Sequence, residues 1–194
     1  MNKCLSKVLT VSLLALTSLS LNTAMAYPGM QKKEEEGAAQ SSVDLISVLP
    51  ETYPIDVVPF SDANGKAVDF SQYRGKVIMV NMWATWCPPC VRELPAIKRL
   101  ASKFDKAQFE ILPISIDLDG REKVEPFLKE LGMEGFTSFY DEKQQLGQVF
   151  PLDTIPATFI LNKEGDLIAF VRTFVDWDDK KAVELIQSLI DKAL

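Results

Sequence analysis

The sequence predicts an α/β fold, a central mixed β-sheet flanked by helices. Three observations carry that expectation. Residues 77–82 form an apolar run with few polar side chains, the pattern of a strand buried on both faces. The run leads into a turn and then a helix, in which Val91, Leu94, Ile97, Ala101 and Phe104 recur at helical spacing as core positions. The chain closes on residues 180–194, where Ala182, Leu185, Ile186, Leu189 and Ile190 make one apolar face that should pack on the sheet.

Taken in order, residues 1–26 read as a secretory targeting segment. Lys3 and Lys7 give it a positive start, an apolar stretch follows, and Ala24-Met25-Ala26 is a small-residue cleavage site. The apolar stretch is shorter than the roughly 20 residues a membrane span needs, although an uncleaved anchor is the alternative reading. Cys4 precedes the apolar stretch and does not fit a lipoprotein cysteine. Cleavage after Ala26 would leave Cys87 and Cys90 as the only thiols, in a compartment where disulfides persist unless actively reduced. The whole chain carries a net charge of −6. The targeting segment holds two of the basic residues and none of the acidic ones, so the remainder is more acidic still. Such a surface argues against nucleic acid or an anionic membrane as partner.

Residues 27–48 read as a disordered linker, rich in Lys, Glu, Gly, Ala, Gln and Ser without apolar periodicity. Residues 49–194 read as one domain of about 150 residues, enough for a sizeable core. Residues 57–68 suggest a β-hairpin, with Asn64-Gly65 signalling a type I′ turn. Residues 70–75 are a connector closed by Gly75, before the apolar strand 77–82. The following helix is expected to reach about Phe104 and to kink at Pro95. Residues 109–116 suggest a second buried strand. Asp117-Leu118-Asp119-Gly120 lacks the ligand spacing of a calcium loop and reads as a turn with a helix N-cap. A helix over 124–131 would stop at Gly132. Residues 136–140 suggest a short strand and 142–150 a short helix or turn. Strands over 157–161 and 167–173 are joined by a hairpin turn at 162–166.

The chemistry concentrates in Trp86-Cys87-Pro88-Pro89-Cys90. Residues three apart on a helix lie roughly 5–6 Å from each other on one face, within reach of a disulfide. Pro88 and Pro89 suit the first helical turn, where their missing N–H groups would be unpaired anyway. Cys87 then occupies the N-cap, where the positive end of the helix stabilises a thiolate and makes this sulfur the nucleophile. Cys90, one turn inside, is the resolving thiol. A zinc site would need two further ligands. With no histidine in the chain and Cys4 the only other cysteine, no metal is expected. A purely structural disulfide closing so short a loop would restrain the unfolded chain little. No cofactor is expected.

The run Asn81-Met82-Trp83-Ala84-Thr85-Trp86-Cys87-Pro88-Pro89-Cys90, with Glu93 and Pro95 beyond it, resembles the thioredoxin superfamily. Within it, the run is similar to the TlpA/ResA-like (DsbE-like) extracytoplasmic thiol–disulfide oxidoreductases. Thr154-Ile155-Pro156-Ala157-Thr158-Phe159 resembles that family's cis-proline loop, in the right order and spacing. The resemblance implies a thioredoxin-like fold with an N-terminal hairpin and a strand–helix insertion over residues 109–131. It implies that Ile155-Pro156 is cis and faces the cysteine pair, and that Thr154, Ile155 and Pro156 bind the partner. Trp83, Trp86, Pro88 and Pro89 would frame the site. Glu93, close to the pair on the helix, would tune the cysteines by like-charge repulsion or proton transfer; an ordinary solvated helix glutamate is the alternative. Asn81 departs from thioredoxin itself, which has a buried Asp there. Thr85 has no base in reach and is no nucleophile.

The resemblance also implies disulfide-containing substrate proteins, such as the haem-attachment cysteines of apocytochrome c. It implies a membrane thiol carrier of the CcdA/DsbD type as electron donor and a place in the periplasm or another extracytoplasmic space; a monomer is expected. Pro89 at the second intervening position, where strong oxidants of the superfamily tend to carry His, favours a reductase. A dithiol oxidase of the disulfide-forming class and a copper chaperone or assembly factor are the alternatives; thiolates bind Cu(I), but the missing histidine weakens the latter.

Overall fold

The computed structural model describes residues 40–192. The targeting segment and most of the linker lie outside the described residues. The linker boundary is drawn too late in the sequence reading. A 3-10 turn, Ser42–Leu45, is capped by Ser41, whose hydroxyl accepts the Val43 N–H. Strand β1, Ser47–Tyr53, starts inside the stretch read as linker. Most of its side chains are exposed, so it shows none of the alternation that marks a half-buried strand. Pro50 is tolerated there because β1 has a free edge.

Strands β2 (Phe60–Ser61) and β3 (Ala67–Val68) form the expected N-terminal hairpin. Its turn is not type I′, which needs positive φ at two residues. Of its turn residues only Gly65 has positive φ, at 80°. The Asp62 carboxylate takes the N–H groups of Asn64 and Lys66, which supports a longer loop.

Strand β4, Val77–Trp83, is buried at all seven positions. Its side chains alternate between two cores. Val77 and Met79 join Ile97, Leu100, Phe109, Trp177, Ile186 and Ile190 on one face. Ile78, Val80 and Met82 join Leu112, Phe150 and Phe159 on the other. Both faces are covered, which is why the run is apolar throughout. Helix α1, Pro88–Ala101, continues through Pro95 and stops at a Ser102 cap. It therefore ends before Phe104, which lies beyond the helix and packs edge-on against Phe109, with ring centroids 5.0 Å apart.

Strand β5, Phe109–Ser115, lies parallel to β4, from Val77↔Phe109 to Trp83↔Ser115. Helix α2, Gly120–Glu130, starts four residues before the predicted onset. Asp119 occupies its N-cap without a side-chain bond to the helix. At the other end Gly132, with φ of 66°, lets the Met133 N–H reach back to the Leu128 carbonyl. Strand β6 is only Phe139–Tyr140, shorter than expected, and the 142–150 stretch contains a 3-10 turn, Gln145–Gln148. Strands β7 (Ala157–Leu161) and β8 (Leu167–Val171) form a hairpin, and helix α3 (Lys180–Lys192) closes the described chain.

The eight strands are ordered β1-β8-β7-β4-β5-β6-β2-β3. β4 runs parallel to β5 and antiparallel to β7, so the sheet is mixed, as the sequence predicts. The carboxyl end of β4 meets the start of β7, where Met82 faces Ala157. That register brings the turn after β4 beside the Ile155-Pro156 peptide.

Candidate active site

Cys87 is the N-cap of α1, with Pro88 and Pro89 in the first turn. Its Sγ accepts the Cys90 N–H at 3.3 Å, one of the donors a helix start leaves unpaired. The Cys87 N–H is bonded to the Ala84 carbonyl, so the turn is fixed on both sides of the sulfur. Cys87 and Cys90 are joined as a disulfide with Cα atoms 5.3 Å apart. Cys90 is fully buried, while Cys87 keeps 5% of its surface. Cys87 is thus the less buried residue of the pair.

The Ile155-Pro156 peptide is cis. Ile155 packs against the cluster that contains both cysteines, Pro156 is buried and Thr154 is exposed. The two framing tryptophans part company. Trp86 is 60% exposed beside Cys87. Trp83 has no solvent contact; it lies in the apolar floor under the pair and donates its indole N–H to Ser138 Oγ at 3.2 Å.

Glu93 is buried, with 1% of its surface exposed, which rules out the solvated reading. Its Oε1 accepts the Val175 N–H at 2.6 Å and its Oε2 the Asn81 Nδ2 at 3.3 Å. Asn81 Nδ2 also donates to Thr158 Oγ1 at 3.0 Å. The indole N–H of Trp177 favours the carboxylate too, although it lies outside hydrogen-bonding geometry. Burial pushes the Glu93 pKa up to about 7, against the opposing pull of these donors. A group poised there can hold or release a proton near neutrality.

The sequence reading missed Asp117. It is almost fully buried and belongs to the site, not to a helix cap. Its Oδ2 accepts the Thr85 N–H at 2.8 Å and its Oδ1 the Thr85 hydroxyl at 2.7 Å. Ser115 Oγ donates to it at 2.9 Å, and Lys123 Nζ lies 3.1 Å away. Thr85 therefore does have a carboxylate in reach. Burial works to raise the Asp117 pKa, but the bonds from Thr85, Ser115 and Lys123 outweigh it and hold the group below its ordinary value. A carboxylate held in that direction is a poor base; it anchors the loop before Cys87. The available signal was two polar residues, Ser115 interrupting the apolar run 111–116 and Asp117 ending it, at the carboxyl end of β5. Nothing local marked Val175 or Trp177, which approach Glu93 from the segment after β8.

Among the described residues no three or more Cys, Asp or Glu are grouped so as to hold a metal ion. What the arrangement can do is exchange a dithiol for a disulfide, through a cysteine at the helix N-cap, a second one turn inside and a buried carboxyl group on the same helix.

Residues 53–170 match the AhpC/TSA family. The chain is 30% identical to the thiol-disulfide oxidoreductase ResA of Geobacillus thermodenitrificans (strain NG80-2) over 66% of its own length and 72% of that protein. It is 30% identical to ResA of Bacillus subtilis (strain 168) over 57% of its own length and 60% of that protein. Among solved structures, a secreted thiol-disulfide isomerase from Corynebacterium glutamicum superimposes with a TM-score of 0.65 at 20% identity, covering 76% of this chain and 92% of that one. At that identity it speaks for the fold alone. With a sheet centred on β4, a Cys-Pro-Pro-Cys helix start and a cis-proline beside it, the chain belongs to the AhpC/TSA family of thioredoxin-fold proteins, and within it to the ResA-type thiol–disulfide oxidoreductases.

Proposed function

We propose that the protein is an extracytoplasmic reductase of protein disulfides. The observation that carries the direction is the buried Glu93 carboxyl group, three residues beyond Cys90 on α1. Once ionised, a carboxylate there opposes a thiolate on the pair. It destabilises the reduced form and makes the dithiol a better donor. Pro89, in place of a thiolate-stabilising histidine, works in the same sense.

In the forward reaction the Cys87 thiolate attacks one sulfur of a partner's disulfide. A Cys87–partner disulfide forms and the partner's other sulfur leaves as a thiolate. Cys90, after giving up its proton, attacks Cys87 Sγ. The Cys87–Cys90 disulfide forms and the partner's second thiol is released. Two electrons have passed to the partner. Glu93 is the group on α1 suited to take the Cys90 proton. Thr154, Ile155 and Pro156 bind the partner's backbone across the pair, with Trp86, Pro88 and Pro89 around it.

The targeting segment over residues 1–26 supports an extracytoplasmic location. The family resemblance read from the cysteine and cis-proline motifs suggests apocytochrome c cysteines as substrate and a membrane thiol carrier of the CcdA/DsbD type as donor, and we take the protein to act as a monomer. A glutathione- or dithiothreitol-buffered redox titration tests the direction. The reductase reading expects a midpoint toward about −270 mV, as for thioredoxin, and a value toward about −120 mV would assign an oxidase instead. In an insulin-reduction assay, Cys87→Ser should fold and show no activity. Cys90→Ser should accumulate mixed disulfides with partners.

A further inference from the structure

We propose that Leu118, together with Trp86, forms an apolar contact that selects extended partner segments carrying an apolar side chain next to the reactive cysteine. This rests on the reductase reading above.

Leu118 is 70% exposed and Trp86 60% exposed, the first and third highest values among the exposed large hydrophobic residues described. They come from different loops that are tied together. The Ile116 N–H donates to the Trp83 carbonyl at 2.9 Å, extending the β4–β5 ladder by one bond. One step further, Thr85 is bonded twice to Asp117. Trp86 and Leu118 each lie one residue beyond that bonded pair, so two exposed apolar residues follow it on the tied loops, one of them directly before Cys87.

Leu118 is also held in a fixed turn. Asp117 on one side is buried and bonded by Thr85, Ser115 and Lys123. Gly120 on the other has φ of +50°, and a Cβ there would meet Glu142 Cγ at 2.5 Å. A side chain on so constrained a loop loses little further freedom when it is covered. A lone exposed leucine needs no explanation, but one that follows the same bonded pair as an exposed tryptophan can join it in an apolar surface for a partner.

The reaction identifies the occupant. Cys87 keeps only 5% of its surface, so a partner sulfur in line with its Sγ brings the flanking residues of the partner over this surface. Those residues meet indole and isobutyl groups. An apolar neighbour of the partner's cysteine would bury surface there; a serine would not. A small disulfide without such neighbours gains nothing from Leu118.

The test compares three oxidants against the reduced protein. Two are symmetric disulfides of a short peptide with leucine, or with serine, on both sides of its single cysteine. The third is glutathione disulfide. Second-order oxidation rates are read by thiol alkylation for wild type, Leu118→Ser and Leu118→Met. Wild type should favour the leucine peptide over the serine peptide by about threefold to tenfold. Leu118→Ser should lose most of that preference with its glutathione disulfide rate unchanged, and Leu118→Met should keep it. An equal preference in wild type and Leu118→Ser overturns the proposal, as does an equal fall for all three oxidants. A wild type that is a dimer and becomes a monomer in Leu118→Ser overturns it too, since the surface would then belong to a second copy. A wild type that reacts with none of the three removes the reductase reading and this proposal together; one that reduces all three at a single rate overturns only the proposal.

Discussion

Glu93 lies on the face of α1 that Leu94 and Ile97 share with the core, three residues beyond Cys90. Its charge, once present, opposes thiolate formation on the pair. Glu93→Gln should therefore lower the Cys87 pKa and make the midpoint potential less negative. A one-unit pKa drop corresponds to about 1.4 kcal/mol, or up to about 30 mV in a two-electron couple. Alkylation-rate pH profiles and a glutathione-buffer titration read both quantities. Superimposable profiles for the two proteins would mean that Glu93 does not reach the sulfurs, and a raised Cys87 pKa would favour a proton-relay role instead. The second residue with a clear test is Asp117. Asp117→Ala leaves the half-buried Thr85 N–H without its partner, which costs about 1–3 kcal/mol. Urea unfolding should show that loss, and Thr85→Val added to it should cost less than the two single changes together, because they share one contact. Additive losses would show that the two side chains act independently. The cysteines, the prolines and Glu93 were readable because their arrangement is local, within one turn and one helix. Asp117 with Thr85 and Glu93 with Val175 were not, because 32 and 82 residues separate the partners.

At the scale of elements, the buried strands and amphipathic helices announce themselves. β4 reads as apolar because both of its faces are covered, and α3 shows its core face at Ala182, Ile186, Leu189 and Ile190. β1 was lost to the linker because an edge strand exposed on nearly all its residues has no periodicity to find. β2 and β3, each of two residues, are too short to show a pattern and were found through their turn. α1 was extended to Phe104 because that residue continues the apolar spacing, yet it reaches the core from the loop after Ser102. The anchor of α1 against the sheet can be tested at Leu100, which is fully buried with Val77, Ile97 and Phe109. Leu100→Ala should destabilise the protein by about 2–5 kcal/mol through lost contacts and a residual cavity. Chemical denaturation measures it. A loss below 1 kcal/mol would mean that the helix settles into the space with little strain. The cysteine turn lies at the opposite end of α1, so the oxidised-state geometry at Cys87 should be retained.

For the whole molecule, the same buried carboxyl group ties stability to pH. Glu93 has a pKa near 4.5 when exposed and about 7 in the fold, chiefly through burial. The folded state therefore holds a proton that the unfolded chain releases. A raised carboxyl pKa contributes stability that is complete below the unfolded value and is lost as pH rises through the folded one. The oxidised protein should accordingly become less stable between about pH 4.5 and pH 7, by about 3 kcal/mol from this group alone. Asp117 works the other way, since its pKa is held below the ordinary 3.8. Its contribution is lost only as pH falls below that value, so the two windows do not overlap. Asp141, raised by burial from 3.8, adds in the same sense as Glu93 at the acidic edge of the range. Urea unfolding of the oxidised protein at intervals from pH 4 to pH 8 should show the decline. Glu93→Gln should flatten it above about pH 5 and be the more stable protein at pH 8, because an amide can still accept the Val175 N–H without carrying a buried charge. A decline that survives in Glu93→Gln would place the titrating group elsewhere, and a wild type whose stability rises across that window would mean that the donors around Glu93 outweigh its burial.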